Sequence, residues 1–213
     1  MQNNINEPVI DYSIHTQPPH APYNLRADLT GCEAEALYSY QDFGLPQHDW
    51  RCFSGDEEMH KDCYVINRAL RDSDFYNSMC EDDKYLYHQL RKCLDSAICK
   101  TVINNEMALI KGLKNPDWIL NKQLGDIFTD DAYGSFSMTP EVALRYSGYN
   151  SELEKVFMQV TIPKGTKAVY MGKKEDEILL FRGAHYKIDE IVHSPKGSFL
   201  AEEKALVYIV VMI

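Results

Sequence analysis

Apolar residues follow two different periods along this chain. Between residue 31 and about residue 105 they recur at helical spacing. Glu33-Ala34-Glu35-Ala36-Leu37-Tyr38-Ser39-Tyr40 opens one helix, and a Gly44-Leu45-Pro46 break follows it. From Asp62 to Leu70, Val65, Ile66 and Ala69 gather on one side, with Leu70 four residues after Ile66. The run from Tyr85 to Lys100 is the most regular. It places Leu86, Leu90, Leu94, Ala97 and Ile98 at steps of three and four, the stripe of an amphipathic helix packed on a core.

From residue 106 the pattern changes to short apolar or alternating runs bounded by Gly or Pro, as in strands. These are Glu106 to Ile110, leading into Lys111-Gly112, then Asp126 to Thr129 and Lys155 to Ile162. Lys167 to Tyr170, Glu177 to Leu180, His185 to Ile188 and Leu206 to Ile213 complete the set. One short helix interrupts them at Pro140 to Tyr146, with Thr139 as N-cap and proline in the first turn. Helices first and strands later predict an α+β fold. Residues 1 to about 30 hold Pro8, Pro18, Pro19 and Pro22 and show no period, so they read as an extended or loosely docked arm.

Composition narrows the function. The 213 residues carry 45% apolar side chains, enough for a full core. No run approaches the roughly 18 apolar residues of a membrane span. The N-terminus lacks the basic and apolar segments of a secretion signal. The expected location is therefore a cytosol, either that of the producing cell or that of a target cell reached by another route. A net charge of −10 argues against nucleic-acid binding. Residues 31–110 hold 15 acids against 8 bases, and residues 111–213 hold 14 against 13. An anionic ligand is therefore favoured by the second half. Six cysteines without a secretion signal are expected as free thiols. His48, Cys52, His60 and Cys63 cluster, but with intervals of three, seven and two residues that match no common zinc pattern. No metal is expected.

The strongest chemical feature is Glu175-Asp176-Glu177 at the start of an apolar strand. In an extended segment residues two apart share a side, so both glutamates would face one place. Facing carboxylates cost free energy. A pair of acids at one spot suits chemistry on a sugar carbon that becomes cationic in its transition state. The bland alternative is a solvated charge pair guarding an edge strand.

Read in order, five segments resemble the arginine–serine–glutamate class of mono-ADP-ribosyltransferases, the clan of binary-toxin and C3-type exoenzymes. Ile66-Asn67-Arg68-Ala69-Leu70-Arg71 is similar to its helix signature. Leu109-Ile110-Lys111-Gly112 is similar to a strand ending in an aromatic–Arg–Gly motif, with lysine in place of arginine. Tyr133-Gly134-Ser135-Phe136-Ser137 stands where the family has an aromatic followed by Ser-Thr-Ser. Val156 to Gly165 resembles the strand before the catalytic loop, and Glu175 to Leu180 resembles the Glu-x-Glu strand.

The resemblance implies a helical lobe (31–105) packed on a two-sheet β-sandwich core (106–213), with an NAD cleft between the sheets. It implies NAD as co-substrate and a protein arginine as acceptor, with NAD hydrolysis as a side reaction. Glu177 would be the catalytic glutamate, Glu175 would hold or deprotonate the acceptor, and Ser135 would fix Glu177. Lys111 and Gly112 would face the NAD phosphates, Ser137 would support the turn, Tyr133 would pack along nicotinamide, and Asn67 and Arg71 are weaker candidate contacts. In this family a Glu two residues before the catalytic one accompanies arginine acceptors. A carboxylate matches the guanidinium fork, which gives that association a physical reason. Lys111 keeps the charge of the family arginine and loses its planar fork. That leaves an NAD-binding pseudoenzyme or interaction module as the alternative.

Overall fold

A computed structural model describes residues 18, 20–41, 62–194 and 204–213. The Gly44-Leu45-Pro46 break, His48, Cys52, His60 and most of the N-terminal arm lie outside the described residues.

Four helices come first: α1 (Gly31–Gln41), α2 (Asp62–Arg71), α3 (Ser73–Ser78) and α4 (Glu81–Cys99). The periodic stripe on α4 is buried as expected at Leu90, Leu94, Ala97 and Ile98. The helix begins one turn earlier than the stripe, where Glu81, Asp82 and Asp83 face the positive end of the helix dipole. The short α3 was not anticipated. Asp72 caps it by accepting from the backbone N–H groups of Asp74 and Phe75.

Eight strands and two short helices follow: β1 (Met107–Gly112), α5 (Asp117–Leu120), β2 (Ile127–Asp130), β3 (Gly134–Ser137), α6 (Pro140–Arg145), β4 (Lys155–Ile162), β5 (Ala168–Gly172), β6 (Glu177–Leu180), β7 (Ala184–Ser194) and β8 (Ala205–Met212). Hydrogen bonding links all eight in the order β2-β7-β8-β4-β1-β3-β6-β5. Among the described strands only β4 and β8 pair in parallel.

The ladder folds over on itself. Phe136 on β3 and Tyr186 on β7 have ring centroids 6.4 Å apart. Three strands separate them in the ladder, and at the usual ~4.8 Å strand spacing a flat sheet would hold them some 19 Å apart. The two halves therefore face each other as layers around Met107, Leu109, Phe136, Met158, Val160, Ile178 and Tyr186. The helical lobe covers the outer face of β3, β5 and β6, where Val169, Met171 and Leu179 meet Leu37, Ile66, Leu94 and Ile98. Helix α6 covers the outer face of β1, β4 and β8 through Ala143, Ile110 and Phe157.

One expectation about the cysteines is overturned. Cys32 on α1 and Cys93 on α4 form a disulfide across 61 residues of sequence. The expectation of free thiols rested on the absence of a secretion signal, and sequence spacing does not show that α1 and α4 lie side by side. Cys63 is half-buried, and Cys80 and Cys99 are exposed. The same two helices are also joined by Glu33, which accepts from Ser96 and from Lys100, each at 2.6 Å.

The start of the described chain is docked. Tyr23 is buried against the helical lobe, and the backbone N–H of Tyr170 donates to Nε2 of His20.

Candidate active site

The site lies where the folded ladder opens. β1 and β3 pair at one register position, Ile110 opposite Ser137, and part beyond it on the side of Lys111 and Ser135. Gly112 lets α6 sit against this end of β1: a Cβ there would lie 2.0 Å from the Ala143 carbonyl oxygen and 2.6 Å from the Ser147 nitrogen. The glycine expected to face the phosphates is therefore first a packing requirement.

β3 pairs with β6 so that Ser135 stands opposite Leu179 and Ser137 opposite Glu177. Ser135 and Glu177 thus share a face. The Ser135 hydroxyl donates to Glu177 Oε1 at 2.5 Å. Gln41, the last residue of α1, hydrogen-bonds the same carboxylate and donates through Nε2 to the Met171 carbonyl at 3.2 Å. Glu177 is buried, with 6% of its surface exposed. Burial pushes its pKa up to about 7; the Ser135 hydrogen bond opposes this and the neighbouring charge of Glu175 adds to it.

Glu175 reaches the site by another route than strand alternation. It lies in the turn between β5 and β6, and Asp176 takes a left-handed conformation with φ of 43°. The turn is tied from outside. Ser137 Oγ donates to the Glu175 carbonyl at 2.7 Å, the Met138 N–H donates to the Asp176 carbonyl at 3.0 Å, and the Tyr170 hydroxyl donates to Asp176 Oδ1 at 2.9 Å. The Glu175 carboxylate accepts from the Tyr146 hydroxyl, just past α6. β5 runs on through Met171 and Gly172, so the loop before β6 is residues 173–176.

Lys111 is half-buried, its ammonium 5.4 Å from the centre of the Phe136 ring. Burial lowers its pKa, while Asp130 and Glu177 pull the other way. Among the described residues no hydrogen bond or ion pair holds its ammonium. Arg71, by contrast, is committed: its guanidinium makes two bonds of 2.8 Å to Asp130 at the end of β2. Phe136, which replaces the polar middle residue of the Ser-Thr-Ser pattern, points into the sandwich beneath Lys111.

Two expected contacts are placed elsewhere. Tyr133 is completely buried among the helices, and its hydroxyl donates to Asp95 Oδ1 at 2.7 Å, so its ring is core and does not line the cleft. Asn67 is used at both ends: Nδ2 donates to the Tyr40 hydroxyl at 2.8 Å, and Oδ1 accepts from the Tyr133 N–H at 3.2 Å. It joins the helical lobe to β3. The sequence reading missed Gln41 and Tyr146: each stands at the end of a helix, and nothing local says what its side chain meets. The close approach of α1 and α6 to the β6 turn depends on tertiary packing that no local period reports.

A family model described as ADP-ribosyltransferase exoenzyme matches residues 57–207. The chain belongs to the ADP-ribosyltransferase exoenzyme family. Solved structures with the same fold include Plx2a, an ADP-ribosyltransferase toxin from Paenibacillus larvae, at 18% identity and a TM-score of 0.58, with 87% of each chain covered. The ADP-ribosyltransferase Vis is similar at 21% identity and a TM-score of 0.57, over 92% of this chain and 77% of that one. The ADP-ribosylating toxin BECa of C. perfringens, solved with NADH, is similar at 19% identity and a TM-score of 0.58. Its match covers 87% of this chain and 44% of BECa, so this chain spans under half of that protein. A comparison with curated protein sequences finds no match. Among the described residues no helix is long and apolar enough to cross a membrane, and no cluster of three or more His, Cys, Asp or Glu could hold a metal.

Proposed function

We propose that this protein transfers ADP-ribose from NAD to an arginine side chain of a target protein, with slow NAD hydrolysis when no acceptor is bound. The observation that carries the reading is the buried Glu177 carboxylate, hydrogen-bonded by Ser135 and within electrostatic range of Lys111, a cation with no hydrogen bond or ion pair among the described residues. These residues suit NAD in charge. Lys111 would meet the phosphates. Glu177 would accept a hydrogen bond from the ribose 2′-hydroxyl and face C1′.

The chemistry follows from burial. A carboxylate with a pKa near 7 is poorly solvated and gains most when positive charge appears beside it. That charge appears as the C1′–nitrogen bond breaks and its electron pair leaves with neutral nicotinamide. The stabilisation is therefore larger in the transition state than in the ground state, which is what accelerates a reaction. A guanidinium nitrogen then bonds to C1′ and gives up a proton, which Glu175 would accept. Water in place of the guanidinium gives hydrolysis.

The arginine preference rests on Glu175, whose carboxylate matches a guanidinium in charge and shape. The Cys32–Cys93 disulfide favours a protein that passes through an oxidising compartment, as an exported toxin or effector would. Incubation with NAD and agmatine, a small guanidino compound, tests the reading. Mass spectrometry should find ADP-ribosyl-agmatine. Free ADP-ribose alone would remove the arginine assignment, and neither product would favour an NAD-binding protein without turnover.

A further inference from the structure

The hydroxyl of Tyr146 is the side-chain donor bound to the Glu175 carboxylate. Tyr146 follows the last turn of α6, and its backbone N–H donates to the Ala143 carbonyl at 3.1 Å. The segment is fastened to β1: Gly148 N–H donates to the Leu113 carbonyl at 2.8 Å, and residue 112 can only be glycine beneath Ala143 and Tyr146. On the other side the peptide of Glu175 is held by Ser137, and the next peptide by Met138. Backbone and carboxylate of Glu175 are thus gripped by separate elements. Glu177 and Tyr64 of α2 also lie within electrostatic range of the Tyr146 phenol.

We propose that Tyr146 is a positioning residue for the acceptor: by donating to one oxygen of Glu175 it fixes the carboxylate in the orientation that receives the acceptor side chain, and so sets how the reaction divides between transfer and hydrolysis. The inference rests on the arginine-directed reading above. Its physical basis is directional. A phenol on one Oε1 lone pair leaves the remaining lone pairs of a carboxylate aimed one way, and a guanidinium approaching as a fork needs that plane held. Water needs no such plane. Without the phenol the carboxylate can rotate about its side-chain torsions, and an ordered nucleophile loses more than a small mobile one.

The test is Tyr146→Phe, which keeps the ring and removes the donor. ADP-ribosyl-agmatine and free ADP-ribose are measured in one reaction, beside Glu175→Gln and the double variant. A hydrogen bond to a charged group sets the scale at about tenfold or more. The ratio of transfer to hydrolysis should fall by about that factor in Tyr146→Phe, with the Kd for NAD unchanged. Adding Tyr146→Phe to Glu175→Gln should change the ratio no further, because the phenol acts through the carboxylate. A parallel fall of both products, no change in either, or a full additional loss in the double variant would overturn the proposal. A wild type that releases nicotinamide and makes no agmatine adduct refutes the arginine reading instead. A crystal structure of Tyr146→Phe then decides this inference: a displaced Glu175 carboxylate upholds it, and an unmoved one sinks it.

Discussion

Replacing Glu177 by glutamine should raise the stability of the folded protein at neutral and alkaline pH while removing the carboxylate proposed to carry the chemistry. The sign follows from linkage. In the unfolded chain the carboxyl ionises near 4.5, and in the fold, where it is buried, near 7. Below pH 4.5 both states carry the proton and the site costs nothing. Between 4.5 and about 7 the unfolded chain releases its proton first, so stability falls as pH rises. Above 7 the full cost stands. A difference of about two and a half pH units is worth about 3 kcal/mol. Glutamine has the same shape, keeps an oxygen for the Ser135 hydroxyl and carries no charge. For a domain of this size each kcal/mol moves the unfolding midpoint by about 2–4 °C. Glu177→Gln should therefore melt about 6–12 °C above the wild type at pH 8, with the gap closing by pH 4.5. Thermal or urea unfolding of both proteins across that range measures it. A gap that does not change with pH, or a variant less stable than the wild type at pH 8, would refute the picture of a desolvated carboxylate.

Further outcomes follow from the same geometry. Lys111→Met should weaken NAD binding by about tenfold to a hundredfold, the scale of a lost hydrogen bond to a charged group, in a direct titration. Lys111→Arg should retain binding. Ser135→Ala removes the hydrogen bond that holds the Glu177 pKa down, so the acid limb of the kcat/KM pH profile should move to higher pH and kcat should drop. Opening the Cys32–Cys93 bond by Cys32→Ser with Cys93→Ser should cost about 4 kcal/mol in urea unfolding, from the entropy of a loop spanning 61 residues.

How much the sequence told depended on whether a feature was local. The α4 stripe and the β4 run Lys155–Ile162 were legible because one period held long enough to outweigh chance. β3 was not. Tyr133 to Ser137 contains three turn-forming residues, Gly134, Ser135 and Ser137, and reads as a turn until β6 pairs with it. The ordered motifs pointed to Ser135 and Glu177 together, and register and the alternation of side chains bring the two into contact once both are in strands. Glu175 was placed near Glu177 for the wrong reason: the strand starts at Glu177, and the left-handed Asp176 bends the chain back. Tyr133 shows the limit of motif order, since a position in a signature does not say which face a ring takes. Its hydroxyl found Asp95 on α4, itself gripped by Arg182 at 2.9 Å. The disulfide and the Tyr146 contact were illegible for one reason: each joins segments far apart in sequence, with no periodic signal between them.

The central claim is that Glu177 makes this fold a transferase. Nicotinamide release from NAD tests it most directly, measured for the wild type and for Glu177→Gln with and without agmatine. Release by the wild type that rises with agmatine, and a fall on the order of a hundredfold or more in Glu177→Gln, is the predicted result. Equal release by both proteins, or no release by a wild type that binds NAD and is offered the guanidino acceptor, would contradict it.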